Sequence, residues 1–109
     1  MRHTPCDQPL NSLETALRRV RRERNRGHHR KALLLLRRAA FEAKESPGVW
    51  TRYALCCAEE GKSEDAARAF SQAVWLCQRD GSKKRAHLTL QLASDAKAGT
   101  LPRIYSRRH

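Results

Sequence analysis

With 109 residues, 39% of them hydrophobic and only 6% aromatic, the chain can build one modest core, resting mainly on Ala and Leu. Lys and Arg number 23 against 11 Asp and Glu, a formal net charge of +12, and no apolar run reaches the length of a membrane span. The first residues lack the apolar stretch of a secretory signal, so the expected compartment is cytoplasmic and the four cysteines are expected as thiols.

Inside the chain the breakers are few: Gly27, Pro47-Gly48, Gly61 and Gly81. They mark off segments of about a dozen residues, a length that suits helices better than strands. Residues 1–12 are expected as an N-terminal tail. A first helix is predicted over 13–25, with Ser12 as its N-cap, and a second over 28–44. A third is predicted over 48–60, behind an N-cap Ser46 and a first-turn Pro47. The fourth should cover 63–78. A fifth is predicted over 82–97 behind an N-cap Asp80, with Leu88, Leu92, Ala93 and Ala96 on its inner side. The alternation in "HLTLQL" imitates a strand, but one strand alone has no partner. Gly99 should stop the fifth helix and Pro102 discourage a restart, leaving residues 99–109 as a loose basic tail.

The segments repeat. Gly27 and Gly61, Ala32 and Ala66, Leu36 and Phe70, Ala39 and Ala73, and Phe41 and Trp75 are each 34 residues apart. Ala16 and Trp50, Val20 and Ala54, and then Ala54 and Leu88 keep the same interval. Small residues recur where paired helices would approach closely, and large ones where gaps would need filling. Each unit reads as a helix–turn–helix hairpin. Leu34 is the exception, an apolar residue aligned with Arg68 at a position expected to face solvent. That points to a cover from the N-terminal segment or from a second chain, as in a homodimer.

Residues 47–80 carry Trp50-x-x-Tyr53-Ala54-x-x-Cys57, then Ala66-x-x-x-Phe70 and Ala73. This pattern and its 34-residue period resemble the tetratricopeptide repeat family. Residues 13–46 form a degenerate copy, with Ala16, Arg19 and Glu23 at the Trp, Leu and Tyr places. The resemblance covers about residues 13–95 and implies an all-α fold. The expected form is a short right-handed α-solenoid of two such hairpins, with 81–98 as a C-terminal capping helix.

Enzymatic chemistry is not expected. His28-His29 lacks the i,i+4 spacing of two ligands on one helix face, and Cys56-Cys57 lacks the C-x-x-C form of a zinc site. Cys57 falls at a packing place, and no cofactor is implied. Charge is the remaining signal: residues 1–47 carry 12 basic and 5 acidic side chains, and 81–109 carry 7 and 1. The densest run is "RRVRRERNRGHHRK", residues 18–31, either a solvated face or a surface for an anion.

The resemblance further implies a concave groove lined by the first helix of each unit. It would take Leu17, Arg21, Arg24 and Asn25 from the first unit, Arg52, Leu55 and Glu59 from the second, and Arg85 and Thr89 from the last helix. Arg18 and Arg22 would lie at the rim or outside. The partner implied is an acidic or amphipathic protein segment, and the chain would act as a scaffold. The clamp that some family members use on chaperone C-termini is not matched: Leu17, Arg21, Ser82 and Ala86 stand at its places, with Arg52 the lone polar substitute. The other reading is RNA or DNA held by arginines on phosphates. Aromatics for base stacking are few, because Trp50, Phe70 and Trp75 are expected to pack inside.

Overall fold

A computed structural model describes residues 8–100, with side chains from Leu13 onward. Those residues form five helices: α1 (Gln8–Asn25), α2 (His29–Glu42), α3 (Pro47–Glu59), α4 (Ser63–Arg79) and α5 (Lys83–Ala98). No strand occurs among them. None of the helices is long and apolar enough to cross a membrane.

Local chemistry explains most boundaries. Ser46 caps α3 by accepting from the Val49 amide at 3.4 Å, and Pro47 occupies the first turn. Gly27, Gly61, Gly81 and Gly99 all take left-handed φ values between 74° and 85°, where a side chain would be strained. The residue after each glycine donates its amide to the carbonyl five places back, at 2.8 Å in every case. One turn geometry is thus used four times.

Several expected ends need correction. Helix α1 begins at Gln8, so Ser12 lies within it and is not its N-cap. Pro9 permits this because a proline in the first turn loses no intrahelical bond. Helix α2 ends at Glu42. Asp80 closes α4 as its C-cap, whereas α5 starts from Ser82, whose side chain makes no capping bond.

Helices pack mainly on their neighbours in sequence, and α5 also reaches α3. Small residues permit this: Ala32, Ala40, Ala54 and Ala73 are wholly buried at helix contacts. Leu33, Leu36, Tyr53 and Phe70 fill the volume between, and Val74, Cys77 and Ala86 carry the packing on to α5. Through α1–α4 the 34-residue correspondence holds in burial. Ala32 with Ala66, Leu36 with Phe70 and Val20 with Ala54 are inside, while Phe41 and Trp75 are both exposed. It fails in α5, where Leu88 is 55% exposed although Ala54 is buried. The buried residue is Thr89, one place later.

Cys56, Cys57 and Cys77 are free and buried; Cys6 lies outside the described residues. Burial pushes the Cys56 thiol up to about 11 and the Tyr53 hydroxyl up to about 12, and it raises the Cys57 thiol as well. Protonated and enclosed, Cys56 and Cys57 behave as small apolar groups.

Candidate binding groove

Three helices each present one stripe to a common concavity of about 800 Å³. Helix α1 contributes Leu17, Val20, Arg21, Arg24 and Asn25, spaced so that they share a face. Helix α3 contributes Gly48, Thr51, Arg52, Leu55 and Glu59, and α5 contributes Arg85, Leu88, Thr89 and Leu92. From α2 come His29 and Leu36. The nine residues expected in a groove therefore do line one concavity. Arg18 and Arg22 are exposed and outside it.

Their chemistry is unequal. Arg24 is committed: its guanidinium donates to Glu59 Oε1 at 2.6 Å, joining α1 to α3. Thr89 is buried and donates its hydroxyl to the Arg85 carbonyl at 2.8 Å, so its side chain holds the helix and not a ligand. Leu55 is likewise buried and belongs to the floor. Arg21, Arg52 and Arg85 are exposed, and none enters an ion pair among the described residues. Beside them Leu88 presents an exposed apolar side chain.

Sequence reasoning missed Leu88 as a groove residue because the 34-residue interval paired it with Ala54. It also missed His29, the first residue of α2, because the groove was expected to draw only on the first helix of each unit and on the last helix. A signal was there: Gly27 fixes the turn, and the second residue past it begins the helix.

On another side of α1 the buried Glu23 carboxylate accepts from His28 Nδ1 at 2.7 Å, with Lys31 Nζ at 3.9 Å. The His28 hydrogen bond holds the Glu23 carboxyl below its ordinary range, against the desolvation that burial imposes, and Lys31 adds to the lowering. This cluster ties the α1–α2 turn together and lies outside the groove.

Aromatic side chains line up differently from expectation. Phe70 is buried as expected. Trp50 is half-buried, with its indole N–H on the Lys44 carbonyl at 3.1 Å and its ring 5.3 Å from that of Phe41. Trp75 is not packed inside: it is 55% exposed, with the Arg79 guanidinium 5.5 Å from its ring centre. Among the described residues His29 is the one aromatic ring lining the basic groove, and no Phe, Tyr or Trp lines it.

No family model matches this chain, and neither the curated proteins nor the solved structures contain a match to it.

Proposed function

We propose that the chain is a non-enzymatic interaction module, a short right-handed α-solenoid of tetratricopeptide-like hairpins that holds an acidic or amphipathic protein segment in its basic groove. The observation that carries this reading is the meeting of Arg21, Arg52 and Arg85. They come from three helices onto one partly apolar concavity, without a carboxylate partner of their own among the described residues. Clustered guanidinium groups repel one another, and a carboxylate-bearing ligand relieves that repulsion through paired, charge-assisted hydrogen bonds. Leu17, Leu55, Leu88 and Leu92 give an apolar residue of the same ligand somewhere to rest. A nucleic-acid ligand fits less well, because the groove offers no Phe, Tyr or Trp on which a base could stack and only the small ring of His29.

The test is binding of a labelled acidic, leucine-containing peptide across a salt series. Affinity should fall as salt rises. Arg21→Glu combined with Arg52→Glu should abolish binding, whereas Arg107→Glu with Arg108→Glu should leave it intact. If the tail pair matters and the groove pair does not, the groove reading fails, and nucleic acid or an anionic surface becomes the better assignment.

A further inference from the structure

Two rows of equivalent residues cross the basic groove. Leu17, Thr51 and Arg85 stand 34 residues apart, as do Arg21, Leu55 and Thr89, and all six line the concavity. The Arg24–Glu59 bond joins α1 to α3, and α5 packs on α3, so α3 lies between the other two. Each row therefore runs from α1 across α3 to α5. Their arginines fall at opposite ends, Arg21 on α1 and Arg85 on α5. Leu55 forms the floor between them, and Leu88 stands one turn along from Arg85.

Helix packing sets the distance. Packed neighbours keep their axes about 8–10 Å apart, so two such steps put Arg21 and Arg85 roughly 16–20 Å apart across the groove. Both are exposed, and neither enters an ion pair among the described residues, whereas Arg24 is held by Glu59. One carboxylate cannot serve both ends. Two can, if the chain that carries them spans the gap. The basic tail expected at 99–109 lies outside the described residues from Leu101 on, and the spacing is set without it.

An extended segment advances about 3.3 Å per residue and returns to the same face every second residue, so its first and seventh positions lie about 20 Å apart on one side. Its third and fifth positions share that side and come over the leucines. A helix covering the same span, about 18 Å long and about 10 Å across, would fill roughly 1,400 Å³. The concavity holds about 800 Å³, which favours the extended form.

We propose that the groove reads the spacing of acidic residues. It takes an extended segment with two acidic side chains six positions apart, one on Arg21 and one on Arg85, and with apolar side chains between them over Leu55 and Leu88. This rests on the reading of the groove as a peptide site and adds which acidic segments fit it. Arg52, on α3, adds positive charge between the two ends without fixing the spacing.

The experiment compares two labelled heptapeptides of one composition and charge, blocked at both termini, on the full chain at low salt. They are Asp-Ser-Leu-Ser-Leu-Ser-Asp and Asp-Asp-Leu-Ser-Leu-Ser-Ser, which differ only in where the second Asp stands. The first should bind about fivefold more tightly, the worth of one further exposed ion pair. Arg21→Gln or Arg85→Gln should each remove that preference, while Arg18→Gln, outside the groove, should leave it in place. Equal affinities for the wild-type chain overturn the spacing proposal but leave an acidic peptide in the groove. A preference that survives both Arg21→Gln and Arg85→Gln overturns it too, because other residues then read the spacing. If neither peptide binds, the groove reading falls and the spacing proposal falls with it.

Discussion

Arg24 and Glu59, 35 residues apart in sequence, meet at 2.6 Å where α1 and α3 border the groove. The Glu59 carboxylate is nearly enclosed, while Arg24 keeps over a third of its side chain exposed. A ligand carboxylate must compete with Glu59 for this guanidinium. Glu59→Gln should therefore raise affinity for an acidic peptide by roughly two- to fivefold, the equivalent of about 0.5–1 kcal/mol for a partly exposed pair. Titration calorimetry at fixed salt measures it, and an unchanged or weaker affinity would show that Arg24 does not contact the ligand.

Core packing makes a graded prediction on α4. Phe70→Ala should cost roughly 3–5 kcal/mol, because the ring is buried. Ala66→Leu should overpack a close contact and cost about 1–3 kcal/mol. Ala67→Ser, on the exposed side, should stay within about 0.5 kcal/mol. Denaturant melts of the three variants compare them directly.

Glycines separate by backbone geometry alone. A Cβ on Gly61 or Gly48 would meet nothing within 4 Å, so neither site is crowded. Gly61 has φ +78°, however, and Gly61→Ala should cost roughly 1–2 kcal/mol. Gly48 lies within α3 without positive φ, and Gly48→Ala should gain about 0.4–1 kcal/mol. Opposite shifts in melting temperature are the expected result.

Acid should act through Glu23. Its carboxyl is lowered in the folded state, so the stabilisation is complete above the ordinary value near 4.5 and disappears as pH falls through the folded value. Thermal melts from pH 6 down to pH 2 should show this loss, and Glu23→Gln should remove the part of the slope that begins below about 4.5. A variant with the wild-type pH profile would assign the acid sensitivity elsewhere.

Leu34 is 65% exposed on α2, as its alignment with Arg68 led us to expect. Leu34→Glu should change stability by no more than about 0.5 kcal/mol. Sedimentation at high micromolar concentration should give a monomer for both forms, since like net charge opposes association. A dimer that Leu34→Glu dissolves would identify a second chain as the cover.

The repeat was readable because close helix contacts admit only small residues, and Ala32, Ala66, Ala39 and Ala73 mark them at a fixed interval. The groove stripes were readable for a related reason: helical spacing decides which residues share a face. Leu88 was misplaced because no helix among the described residues follows α5 to hold it to the same register. Trp75 was misplaced because its type suggests a core residue, whereas the structure leaves both it and its equivalent Phe41 exposed. The Arg24–Glu59 bond depends on how α1 and α3 are rotated against each other, which no local pattern encodes.

Packing between successive helices also makes the chain nearly one-dimensional in its energetics. Opening α1 breaks little that α5 needs, and opening α5 breaks little that α1 needs. Amides in the middle of the line, in α3 and α4, should exchange with solvent most slowly, with protection falling toward both ends. Folding should be fast, because most contacts that reward the chain lie close in sequence and close only short loops.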